Sequence, residues 1–208
     1  MADTMGMAVA ERADMAEFLA GLTPEQWDAP TLCEGWSTRD VVAHMYGYED
    51  AGFSGFAARL LRSGLNGDRA NAAVVAEQAG VSPPELLAKA RSCVRPRGFT
   101  TLFGGRIALT DCMIHQQDVR RPLGLHRDVP ADRLTVALDF ARTAPPIRAK
   151  PRVAGLRLVA TDLGWTAGDG PSVEGPGEAL LMAVAGRRAA VDELTGPGVA
   201  TLRDRIDG

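Results

Sequence analysis

Between Arg142 and Arg152 the spacing of apolar residues changes from helical to alternating. The change falls on a proline-rich, basic stretch, Thr143-Ala144-Pro145-Pro146-Ile147-Arg148-Ala149-Lys150-Pro151. The hydrophobic period decides whether a segment buries one stripe of a helix or one face of a strand. A helix cannot run undisturbed through closely spaced prolines, because each removes a backbone donor and clashes with the preceding turn. The chain is therefore expected to divide into a helical domain, residues 1–146, and a small α/β domain, residues 153–208.

Helical spacing predicts helices over about 5–22, 37–63, 68–78, 101–121 and 131–143. Shorter ones begin at Thr23-Pro24-Glu25-Gln26 and Ser82-Pro83-Pro84-Glu85, where an N-cap precedes proline at the first helical position. Ser37-Thr38-Arg39-Asp40 reads as a variant of the capping box, with the inward face behind it including Val41, His44 and Tyr48. Gly47, Gly52 and Gly55 weaken the later turns of that helix. Beyond Arg152, residues 155–160 and 165–167 read as strands joined by Thr161-Asp162-Leu163-Gly164. Ser172-Val173-Glu174 offers a third strand, and helices follow at about 177–185 and 189–194.

Several classes of function are excluded early. With 23 basic and 26 acidic residues the net charge is -3, which gives no general attraction for nucleic acid or an anionic membrane surface. No apolar run is long enough to span a bilayer, and the amino terminus lacks the apolar block of a secretory peptide, so a cytoplasmic location is expected. Cys33, Cys93 and Cys112 are an odd number without paired spacing and are expected to be reduced; Cys33 and Cys112 read as buried small residues.

The chemistry must come from few groups. A single histidine such as His44, among Val41, Val42 and Met45, is more often a hydrogen-bonded core residue than a ligand. His115 has company, because Asp111 lies four residues earlier and Asp118 three residues later, on one helix face. Such a row is either an exposed ion-pair track or part of a metal site. Imidazole with carboxylate suits zinc, iron or nickel and leaves positions for water or substrate. Asp118 would then support the site from behind or act as a base near the ion. Trp36 is expected to pack where the loop enters its helix, Arg120 and Arg121 read as helix-terminal cations, and His126 lies outside the site.

Two stretches resemble a known family. Leu32-Cys33-Glu34-Gly35-Trp36-Ser37-Thr38-Arg39-Asp40-Val41-Val42-Ala43-His44 is similar to the first signature of mycothiol-dependent maleylpyruvate isomerase relatives. Asp111-Cys112-Met113-Ile114-His115-Gln116-Gln117-Asp118 and the Val119-to-Gly124 run after it are similar to the second. The segments around Leu158-to-Trp165 and Val173-to-Leu181 resemble that family's small second domain. The resemblance implies a mostly α protein, a DinB-like up-and-down four-helix bundle followed by a small α/β, sterol-carrier-like domain. It implies a divalent metal, zinc first with nickel or iron as alternatives, held by His44, Asp111 and His115. It also gives Arg187 a place facing the metal cleft, where a solvated helix-end arginine is the alternative. The sequence departs from the family at Asp111, where glutamate is commoner. One methylene less shortens the reach and leaves direct ligation, a bridging water or a different metal open.

The function this implies is that of a metal-dependent enzyme using mycothiol as thiol cosubstrate on a small electrophilic molecule, as isomerase or S-transferase. A metal-binding stress-response protein without turnover and a thiol-free metal-assisted hydrolase are the alternatives. The expected partners are the electrophile and the thiol, with no nucleic acid and no membrane, in a monomer or homodimer.

Overall fold

The computed structural model describes residues 3–49 and 51–208. The chain forms two compact units, one ending at Arg127 and the other starting at Asp128.

The first unit contains α1 (Thr4–Ala20), α2 (Pro24–Trp27), α3 (Thr38–Tyr46), α4 (Gly52–Arg62), α5 (Gly67–Glu77), α6 (Pro83–Ser92) and α7 (Arg106–Arg120). Four of them close a ring: α1 packs on α6 and α7, and α3 packs on the same two. Met15, Leu19, Val42, Met45, Leu86, Cys112 and Val119 fill its interior, each large apolar side chain contributing about 2 kcal/mol by leaving water. Three helix starts read from capping residues hold. Thr23, Ser37 and Ser82 each make a reciprocal capping box with the residue three positions on.

The long helix expected over 37–63 is instead two helices. Backbone at Gly47 caps α3, and Gly52 takes a φ of +58°, a left-handed conformation that ends any continuous helix. Gly47 is also required by packing, since a Cβ there would lie 2.3 Å from Val74 on α5. The turn after α3 is pinned by a buried ion pair. Glu49 accepts from Arg12 Nη2 at 2.7 Å, from the Arg97 amide at 2.8 Å and from Thr100 Oγ1 at 2.9 Å. The start of α7 is likewise later than the expected Thr101. Leu102, Phe103 and Gly104 are non-helical and Gly105 is left-handed, so the regular helix begins at Arg106.

The second unit contains α8 (Ala131–Ala141), α9 (Ala149–Val153), β1 (Arg157–Ala160), β2 (Trp165–Ala167), β3 (Ser172–Gly175), α10 (Gly177–Val184) and α11 (Val199–Asp207). The sheet order is β2-β1-β3, with β2 antiparallel and β3 parallel to β1. The chain must therefore cross from one sheet edge to the other between β2 and β3. It crosses on Gly168 and Gly170, where a Cβ would sit 2.3 Å from the carbonyl oxygens of Leu156 and Gly155, so only glycine fits. The prolines do end a helix, with α8 stopping at Ala141 and a 3-10 turn over Pro145–Ile147. They do not part the two units, however. Helix α8 packs on α10 and buries Leu134, Ala137, Leu138 and Ala141, so the division lies before it rather than at 146/153. Helix α10, buried along its whole length, lies against β1 and β3 and covers the apolar side of the sheet. The molecule is thus a helical bundle followed by a small α/β unit. No helix among the described residues is long and apolar enough to cross a membrane.

Candidate metal centre

His44 stands two turns into α3, and Asp111, His115 and Asp118 share one face of α7. Because α3 and α7 are neighbours in the ring, the imidazoles of His44 and His115 meet edge to face, with ring centroids 5.0 Å apart. One donor atom from each of His44, Asp111 and His115 lies within 4.8 Å of the other two. Asp111 Oδ1 is 3.6 Å from His115 Nε2. Two ligands on a tetrahedral zinc-like ion stand about 3.4 Å apart, from metal–nitrogen and metal–oxygen bonds of roughly 2.0–2.2 Å. The aspartate, despite its short side chain, therefore brings an oxygen to ligand spacing. The donor set fits a divalent ion.

The second layer is as well defined. Asp118 is wholly buried, and its Oδ2 lies 2.9 Å from His115 Nδ1. A carboxylate only accepts, so Nδ1 carries the proton and donates it, leaving the lone pair on Nε2, the nitrogen facing Asp111. The same Oδ2 accepts from the Cys33 thiol at 3.1 Å, and Cys33 Sγ is 3.8 Å from His115 Nδ1. The loop carrying Cys33 is held there by main chain, since the Leu32 amide donates to the Asp118 carbonyl at 3.0 Å. His44 is steadied by the Trp36 ring at 5.2 Å and the Tyr48 ring at 6.0 Å.

Charge is balanced in an unusual way. Burial opposes a charged imidazole at His115. Asp111, then the hydrogen bonds to Asp118 and Cys33, more than offset this and push the group from its ordinary 6.5 up to about 10. Without an ion, a proton on Nε2 supplies the positive charge between two carboxylates. His44 and His115 are each 8% exposed, whereas a third of the Asp111 side chain is open to solvent, so access to the trio runs past Asp111.

The structure brings together His44, Asp111, His115 and Asp118. Arg187 belongs to the other compact unit, just after α10, where its amide donates to Met182 and its Nη1 to the Ala185 carbonyl. Two residues at the site were not foreseen. Cys33, expected as a buried small residue, is only half-buried and touches Asp118. Trp36, expected as loop packing alone, lies against the His44 imidazole. Cys112 is buried as expected, and Arg120 stacks its guanidinium 3.8 Å over the Phe18 ring.

Residues 8–97 match the family model of the mycothiol maleylpyruvate isomerase N-terminal domain. The match includes His44 and ends before α7. No curated protein matches the chain in sequence. Two solved structures are similar in fold, a mycothiol-dependent maleylpyruvate isomerase and a histidine-to-alanine mutant described under the same name. Each aligns with a TM-score of 0.56 at 15% identity, over 93% of this chain and 91% of its own.

Proposed function

Starting from the match of residues 8–97 to the mycothiol maleylpyruvate isomerase N-terminal domain, we propose that this chain is a metal-dependent, mycothiol-using enzyme acting on a small electrophile as isomerase or S-transferase. The observation that carries the proposal is the convergence of His44, Asp111 and His115 within 4.8 Å, with one side of the trio open past Asp111. A divalent ion held there, zinc by its donor set, would supply a Lewis acid able to keep a thiol sulfur as thiolate at neutral pH. His44 and His115 would give nitrogen ligands and Asp111 an oxygen. Asp118 holds the Nδ1 proton of His115, which fixes the tautomer and turns Nε2 to the centre. Asp118 has no exposed surface, so its role is orientation of His115 rather than contact with substrate.

The thiolate adds to one carbon of an activated cis double bond, giving a carbanion stabilised by the neighbouring carbonyl. Rotation about the resulting single bond and expulsion of the thiolate return the trans isomer; protonation of the carbanion instead leaves a thioether. Arg187 is assigned the anionic group of the electrophile. A cytoplasmic location follows from the use of a reduced thiol.

The test is to incubate the zinc-loaded protein with mycothiol and either maleylpyruvate or a generic alkylating electrophile. Loss of the cis isomer and consumption of thiol are then followed separately. Turnover that requires both metal and thiol is expected. Turnover that persists without thiol would identify a hydrolase, and none with either substrate would leave a metal-binding protein. Arg187→Ala is expected to raise KM for an anionic electrophile and to leave metal affinity unchanged.

A further inference from the structure

Three donor atoms outside the proposed trio also converge. Cys33 Sγ, His115 Nδ1 and an Asp118 oxygen all lie within 4.8 Å of one another, with separations of 3.8 Å, 3.1 Å and 2.9 Å. Ligands on a tetrahedral ion with one thiolate stand about 3.4–3.6 Å apart, from a metal–sulfur bond of roughly 2.3 Å and metal–nitrogen and metal–oxygen bonds of about 2.1 Å. The sulfur–nitrogen separation is close to that range, and the two shorter ones are hydrogen bonds to Asp118 that would open by about 0.5 Å as an ion replaces the two protons. We propose that Cys33, His115 and Asp118 form a second, thiolate-containing metal position, selective for thiophilic cations, that competes with the His44–Asp111–His115 centre for His115.

The competition follows from the chemistry of one ring. A neutral imidazole has one lone pair and one N–H. With the lone pair on Nε2, His115 serves the first centre and Nδ1–H donates to Asp118. With the lone pair on Nδ1, it serves the second position, and Nε2–H points toward Asp111 Oδ1 at 3.6 Å. Each carboxylate thus faces the ring N–H in the state in which the other is a ligand, and neither ion can be held fully while the other is bound. Filling the second position in the metal-free protein releases the Cys33 thiol proton and the Nδ1 proton of His115 to solvent, while Nε2 keeps its own proton. A thiolate favours soft cations over hard ones, so the position would collect cadmium in preference to magnesium or calcium. Cys93 and Cys112 are 0% exposed, which leaves Cys33, half-buried, as the accessible thiol of the three.

This inference rests on the metal reading of the first centre only for the competition, and the experiment separates the two. Cadmium is titrated into the metal-free protein while the ultraviolet thiolate-to-cadmium charge-transfer band is followed. The band should saturate at one equivalent in the wild type and in His44→Ala, which loses only the first centre, and should be absent in Cys33→Ser. Zinc-loaded wild type should release zinc, read with a chromogenic indicator, as the band grows. Cadmium uptake without the band, or a band that survives Cys33→Ser, would overturn the second position. A band that grows while all zinc is retained would overturn the competition. Failure of the metal-free wild type to take up zinc would remove the first centre, and the cadmium band would still decide the second.

Discussion

Replacing Asp118 with asparagine removes a charge while keeping the shape. Asp118 has no exposed surface, so solvent does not screen it, and its Oδ2 takes two hydrogen bonds, from His115 at 2.9 Å and Cys33 at 3.1 Å. Asparagine still offers one oxygen to those donors, so folding should survive. What is lost is the electrostatic support that makes His115 a stronger ligand. Changes of this kind typically lower metal affinity about 10- to 100-fold, which corresponds to about 1.4–2.7 kcal/mol. The loss should depend on pH, because Asp118 also helps to raise His115 to about 10 in the metal-free protein. At pH 7 the ion must displace the proton held on Nε2, and Asp118→Asn weakens that proton as well as the ion, so part of the loss cancels. At pH 9 the proton competes less and more of the loss is exposed. Zinc affinity measured by competition with a chromogenic chelator at both pH values should show a variant-to-wild-type deficit that widens as pH rises. A deficit that is constant with pH, or affinity within twofold of wild type at pH 9, would refute the role given to Asp118.

Three further outcomes are expected. His115→Ala, which removes a ligand from both positions, should abolish stoichiometric zinc uptake, and His44→Ala should weaken it, seen by elemental analysis after dialysis against a chelator, while circular dichroism shows the helices intact. Asp111→Glu should bind zinc as well as wild type or better if Asp111 ligates directly, whereas weaker binding in the same chelator assay would mean that Asp111 acts through a water or through His115. The metal-free protein should be most resistant to urea at low pH. Because the folded-state value of His115 is raised, its contribution is fully present below about 6.5 and is lost as pH rises through about 10. Chemical denaturation from pH 6 to 10 should show that decline without zinc and a shallower one with it.

Much of the bundle was legible because its signals are local. Capping boxes at Thr23, Ser37 and Ser82 fix helix starts within a few residues, and the i, i+4 spacing of Asp111 and His115 states which groups share a face. The break after α3 was foreshadowed by glycines, but its cause, the close approach of Gly47 to Val74, is a tertiary contact that no local pattern records. The same limit hid the place of α8: its apolar stripe says that one face is buried, not that the partner is α10. Helix α11 buries Leu202 alone, too thin a stripe to stand out. Cys33 reaches His115 across 82 residues because a loop amide docks on the Asp118 carbonyl, and a backbone hydrogen bond leaves no mark on residue type.

The short carboxylate at position 111 acquires a physical meaning from the geometry. His115 sits between two carboxylates, at 3.6 Å from Asp111 and 2.9 Å from Asp118. An imidazolium there is stabilised without any ion, so a proton and a metal compete for the same charge deficit. A longer carboxylate at position 111 could follow an ion away from the ring, whereas aspartate is confined near Nε2 and serves proton and ion about equally. The occupancy of such a centre should be set by metal supply and pH together, and a soft cation drawn to Cys33 would shift it further by reversing the tautomer on which the first centre depends.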